Sequence, residues 1–192
     1  YDANDQGYLD ALSGLWNNTA GNGCRPLIDA ATEQMQTLAY ASGYAGSSNP
    51  RAIELAERLA AITYPSINRF YFTSGGGESS DSNFKMARYY WKLKGKPDKT
   101  KVIARQYGYH GVTLAAMSAT GISKYWPMFE PRVPGFSHIS SPYPYRYEMP
   151  ADAPAGTTQG IAAANELEKK ILEEGPDTVA MFIAEPVQGA GG

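Results

Sequence analysis

The run Arg69-Phe70-Tyr71-Phe72-Thr73-Ser74-Gly75-Gly76-Gly77-Glu78-Ser79 sets the architecture. Its aromatic first half, 69–73, suits a pleated strand, and the three glycines behind Ser74 end that strand in a tight turn. Beyond the turn, Phe84, Ala87 and Trp91, with Met86, Tyr90 and Leu93 beside them, recur at helical spacing and outline a long helix that closes near Gly95-Lys96-Pro97. A strand emptying through glycines into a helix aims free backbone N–H groups and the positive end of a helix dipole at the sheet's C-terminal edge, where phosphate is the natural guest. No Gly-Lys-Ser/Thr follows, so this is not a nucleotide P-loop, and the G-x-G-x-x-G spacing of a dinucleotide fold is missing. The competing reading is an ordinary tight strand-to-helix connection.

Downstream, Lys101-Val102-Ile103-Ala104-Arg105 reads as a second strand, leading to Tyr107-Gly108-Tyr109-His110-Gly111 and a short helix over 114–119. Prolines and tyrosines over 125–154 predict a long irregular surface excursion; a helix over 158–174 and a third strand over 178–184 follow. Upstream, weak alternation over 8–12 within 1–14 predicts a hairpin, and 17–23 a loop. A helix starts around Pro26 and ends near Tyr40; after a Gly/Ser loop, Asn49 is a candidate N-cap with Pro50 in the first turn of a helix that ends before Pro65. Strands alternating with helices imply an α/β fold with a mainly parallel sheet covered on both faces.

Composition narrows the function classes. In 192 residues, 17 Lys+Arg oppose 19 Asp+Glu for a net charge of −2, which argues against nucleic acid and anionic membrane surfaces as partners. With 43% apolar and 12% aromatic residues the chain can build a core, yet its longest apolar run, 179–184, is strand-sized. One cysteine, Cys24, and two histidines exclude a disulfide framework and a Cys/His-rich zinc site; a reducing, cytoplasmic setting fits. The chain opens at Tyr1 inside a pattern and stops at Gly191-Gly192 just after an apolar strand, so it is expected to be part of a longer chain.

In a parallel sheet the three strand tips reach one edge. They bring the glycine turn, then Tyr109 and His110, then Glu185, followed by Pro186-Val187-Gln188-Gly189. Tyr109 can stack on a planar ligand or serve packing alone, and His110 can be an acid, a base, a donor or purely structural. Glu185 is either paired inside a site or a solvated loop carboxylate.

The motifs Phe72-Thr73-Ser74-Gly75-Gly76-Gly77-Glu78-Ser79-Ser80-Asp81, Tyr109-His110-Gly111 and Ala184-Glu185-Pro186-Val187-Gln188-Gly189, in this order and spacing, resemble the class III aminotransferases, fold type I enzymes that use pyridoxal 5'-phosphate (PLP). Gly14-Leu15-Trp16-Asn17 and the stretch 44–50 are most similar to the ω-amino acid or amine:pyruvate transaminases. The resemblance implies that Ser74, Gly75, Gly76 and Gly77 hold the cofactor phosphate, that Tyr109 stacks on the ring with His110 beside it, and that Glu185 joins the ring's hydrogen-bond network with Gln188 in support. It further implies that Trp16 and Tyr44 belong to the substrate pocket, that Ser47, Ser48 and Asn49 reach toward the neighbouring subunit's site in a homodimer, and that an amine and a keto acid are the substrates. The family often has Ser where Gly77 stands, so backbone replaces one side-chain contact. Its Schiff-base lysine, pyridine-nitrogen aspartate and carboxylate-reading arginine belong to sequence after Gly192, and none of Lys92, Lys94, Lys96, Lys99 or Lys101 stands in the lysine motif. On this basis 1–42 is part of a small domain with its linking helix and 43–192 the first part of the large PLP-binding domain. The alternatives are another class III activity, a decarboxylase or an aminomutase, and a non-catalytic PLP-binding or partner-pairing chain.

Overall fold

The computed structural model describes residues 1–44 and 46–191; Ala45, inside the 44–50 stretch, and Gly192 lie outside the described residues. The chain forms two compact units, Tyr1–Phe70 and Tyr71–Gly192, so residues 43–70, which the sequence groups with the large domain, fall in the first.

The first unit carries two amphipathic helices, α2 (Arg25–Leu38) and α3 (Pro50–Ile62). Pro26 sits in the first turn of α2, where its missing N–H has no intrahelical acceptor to lose. Asn49 caps α3 as expected, its Oδ1 accepting from the Ala52 N–H at 2.9 Å. The hairpin expected over 1–14 is absent, because nearby carboxylates take the backbone donors that a ladder needs. Asp2 Oδ1 accepts from the N–H groups of Asn4 (2.8 Å) and Gln6 (3.0 Å), and Asp10 accepts from Leu12 (3.0 Å) and Gly14 (2.6 Å). The segment then closes in the single turn α1 (Ser13–Trp16), whose Gly14 and Leu15 are left-handed, both at φ 59°.

Residues 69–73, the last two of the first unit and the first three of the second, form no ladder with any described strand, so the expected first strand is corrected to an unpaired approach. The glycine turn and helix behind it form as read: α4 runs Gly76–Leu93 with Gly75 at its N-cap. A three-stranded, all-parallel sheet follows in the order β2-β1-β3, with β1 Lys101–Arg105, β2 Phe136–Ile139 and β3 Val179–Phe182. β2 lies within the stretch expected to be an irregular excursion. Phe136-Ser137-His138-Ile139 has too few apolar residues to announce a strand, but its register Val102↔Phe136 to Arg105↔Ile139 puts the aromatic and the aliphatic side chain on opposite faces.

Both faces are covered, as a parallel sheet requires. Val102, Phe136, Met181 and Ile183 pack with Phe84 of α4 and with Ala115 and Ala119 of α5 (Leu114–Ala119). On the other face Ile103, Ile139, Val179 and Phe182 pack against Leu167 and Ile171 of α6 (Gln159–Glu174), which is capped by Thr158. Ile103 and Ala104 are fully buried, so the middle strand is the core.

Candidate cofactor site at the C-terminal edge of the sheet

The loops that leave the three strands meet beyond the strand tips, beside the start of α4. Helix geometry leaves the first N–H groups of α4, at Gly76, Gly77 and Glu78, without intrahelical acceptors. Glu78 reaches back to accept from the Ser74 N–H at 2.9 Å, and Thr73 bonds Ser79 and, at 3.1 Å, the Gly75 carbonyl, which locks the turn. In front of Gly75 and Gly76 the space is open, with no atom within 4 Å of where a Cβ would stand.

The loop after β1 lies directly against this turn. Gly111, at φ +134°, approaches so closely that a Cβ there would fall 2.6 Å from Gly77 Cα. Ser80 of α4 donates to the His110 carbonyl (2.8 Å), and Thr113 donates to Asp81 (3.0 Å). The His110 N–H donates to Thr120 Oγ1 at 2.9 Å. Between these ties Tyr109 stays 42% exposed while its neighbour His110 is 8% exposed, so the ring that could stack is available and the imidazole is buried. Burial pushes the His110 imidazole below its ordinary value, against an opposing pull from Glu185, which leaves it neutral at pH 7. Its Nε2 is buried without a hydrogen-bond partner.

Glu185, just past β3, is half-buried and paired rather than free in a loop. Its Oε1 accepts from the Tyr109 N–H at 2.8 Å and its Oε2 from the Gly189 N–H at 3.0 Å. Gln188 Nε2 donates to the Gln106 carbonyl at 2.9 Å, and the Ser141 hydroxyl donates to Gln188 Oε1. Glycine turn, Tyr109-His110 and Glu185 are thus brought together in one unit.

A model of the family described as aminotransferase class-III matches residues 1–192. The chain belongs to this family. As a class-III aminotransferase chain it is similar to the putrescine–pyruvate aminotransferase of Pseudomonas aeruginosa, 40% identical over the whole of this chain and 41% of that protein. It is also similar to a probable aminotransferase of Mycobacterium tuberculosis, 43% identical over all of this chain and 40% of that one. Among solved structures, an (S)-enantioselective omega-transaminase from Thermomicrobium roseum shares 47% identity at a TM-score of 0.86, over 96% of this chain and 41% of that one. A PMP-bound aminotransferase from Vibrio fluvialis shares 37% at a TM-score of 0.89, over 100% and 42%. This class-III chain therefore spans about two fifths of the length of the relatives it matches, and its α/β architecture is that of fold type I.

The other residues singled out in the sequence stand in the first unit. Trp16, Tyr44, Ser47 and Ser48 are exposed, and Asn49 spends its side-chain oxygen on the α3 cap. The lysines behind α4 hold the far end of the sheet: Lys101 pairs with Glu174 at 2.9 Å, and Lys99 donates to the carbonyls of Pro176 (2.5 Å) and Val179 (3.0 Å). Ser80, Thr113, Thr120 and Ser141 were missed. Thr113 and Thr120 are small hydroxyl residues among apolar ones, while Ser80 and Ser141 sit in polar or turn-like runs, and in neither setting does sequence pattern alone separate them from ordinary packing or local capping. Among the described residues no helix is long and apolar enough to cross a membrane, and no group of three or more His, Cys, Asp and Glu could hold a metal ion.

Proposed function

We propose that the protein carrying this chain uses PLP to move an amino group from an amine or ω-amino acid to a keto acid such as pyruvate. The observation that carries this reading is the convergence of an open helix N-terminus, an exposed tyrosine and a paired carboxylate at one sheet edge. Relatives named for putrescine with pyruvate and for gamma-aminobutyrate support a donor whose amine is terminal.

In this reading the N–H groups of Gly76 and Gly77, with Gly75 and Ser74 beside them, hold the phosphate, and the open space before Gly75 and Gly76 receives it. When bound, the cofactor supplies an electron sink next to the amine-bearing carbon of the substrate. Tyr109 covers one face of the ring and keeps water from it. Glu185 orients Tyr109 through the backbone N–H and keeps lone pairs for the ring's polar edge. His110, neutral and buried, offers an N–H or a lone pair at Nε2 without adding charge. Trp16 and Tyr44 contribute to the substrate pocket, and Ser47, Ser48 and Asn49 serve the partner subunit's site in a homodimer. A cytoplasmic location belongs to the same reading; the rice and tomato relatives are mitochondrial and chloroplastic.

The test uses the full-length protein, pyruvate and a panel of amines and ω-amino acids. Alanine should appear in step with donor loss, and borohydride reduction should fix one cofactor per chain, read by intact mass. A stoichiometric adduct with carbon dioxide instead of alanine would move the assignment to a decarboxylase. Absence of both adduct and alanine would overturn the reading.

A further inference from the structure

We propose that Ser141, at the tip of β2, is a positioning residue of this site: through Gln188 it fixes the loop carrying Glu185 against the loop carrying Tyr109. The proposal rests on the cofactor reading above.

Ser141 is 5% exposed, and its hydroxyl donates to Gln188 Oε1. The same amide donates from Nε2 to the Gln106 carbonyl at 2.9 Å. One end of the Gln188 side chain accepts and the other donates, so its amide cannot flip without losing both bonds. Ser141 itself stands on fixed ground. The preceding residue, Ser140, is held from both sides, its N–H donating to Glu166 Oε2 (2.9 Å) and its carbonyl accepting from Arg105 Nη1 (2.9 Å). Tyr147 closes the clamp by donating to Glu166 Oε1 at 2.8 Å.

The consequence is a closed circuit across the sheet edge. From β1 come Gln106 and Tyr109, from β2 Ser141, and from β3 Glu185, Gln188 and Gly189. β2 adds no residue to the proposed cofactor contacts, so its contribution is the hydroxyl that sets where the 185–189 turn sits. Losing that hydroxyl leaves Gln188 Oε1 short of a partner at a buried serine and frees the turn to shift, which changes how Glu185 holds the Tyr109 backbone.

The experiment measures PLP retention by equilibrium dialysis and the visible circular dichroism of the bound ring in the full-length holoenzyme. Ser141→Ala should retain cofactor about tenfold less tightly and weaken the ring's dichroism, while Ser141→Thr, which returns the hydroxyl, should recover both. Gln188→Ala should reproduce the Ser141→Ala effect, and the double variant should add little, since both break one circuit. Tyr109→Ala is run in parallel. If it leaves retention unchanged, the cofactor reading itself fails. If Tyr109→Ala weakens retention while Ser141→Ala and Gln188→Ala match the parent in retention and ring signal, the positioning role is overturned. A loss of thermal stability alone, with the ring signal intact, overturns it as well, because a merely structural hydroxyl would do that.

Discussion

Gly111 does for the backbone what no other residue can do at that place. Its φ of +134° lies where L side chains rarely go, and a Cβ would meet Gly77 Cα at 2.6 Å and the Ala116 Cβ at 2.9 Å. Both obstacles are rigid, one the glycine turn and the other a buried helix residue, so neither can yield as a flexible side-chain tip would. Gly111→Ala should therefore destabilise the full-length protein by about 2–4 kcal/mol, combining strained backbone with overpacking. Urea unfolding measures that loss, and a midpoint equal to the parent's would refute the close approach. Gly77 is a gentler case: its Cβ would meet Thr113 Cγ2 at 3.3 Å, a side chain with some room to give.

Helix α3 owes its start to one side chain. Asn49 Oδ1 satisfies the Ala52 N–H at 2.9 Å, and Pro50 needs no acceptor, so two of the orphan donors at this end are accounted for. Asn49→Ala should cost about 1 kcal/mol while Asn49→Asp costs little, because aspartate caps equally well; thermal unfolding of the full-length variants separates the two, and equal losses would mean that the cap contributes nothing. This helix was legible in the sequence because capping chemistry and apolar spacing coincide within a few residues. The helices α2, α4, α5 and α6 and the strands β1 and β3 were readable for similar local reasons. β2 was not, since His138 and Ser137 make it polar and its reason to be a strand is the pairing with β1, a long-range fact. The aromatic run 69–73 failed in the opposite way: strand propensity is present, and the ladder partner is not among the described strands. At the site, the glycine turn, Tyr109-His110 and Glu185 were visible as motifs, whereas Ser141 became visible only once β2 had brought it to the sheet edge.

Acid sensitivity is a property of the whole fold, since both histidines of this chain are held neutral inside it. His138 stands in β2 with its Nε2 on the Ala119 carbonyl at 3.0 Å, which makes Nε2 the protonated nitrogen. Burial pushes its imidazole below the ordinary 6.5; the Ala119 bond opposes, while the Arg132 and His110 charges add to the depression. Burial depresses His110 in the same direction. The unfolded chain therefore binds these protons first as pH falls, so stability is intact above about 6.5 and is lost progressively as pH drops toward the folded values. Glu166 extends the trend: burial works to raise its carboxylate, but the Ser140 N–H and the Tyr147 hydroxyl outweigh burial and hold it below its usual value, so stability is lost again on further acidification. Tyr147, pushed up to about 12 by burial and by Glu166, contributes stability that is lost as pH rises above about 10, because an unfolded phenol ionises near 10 first. The urea midpoint of the full-length protein should accordingly fall between about pH 7.5 and about pH 5.5. His138→Gln keeps a donor for the Ala119 carbonyl but cannot titrate, so it should fall less steeply over that interval. Parallel pH profiles for parent and variant would show that half-buried His138 is not held neutral by this sheet.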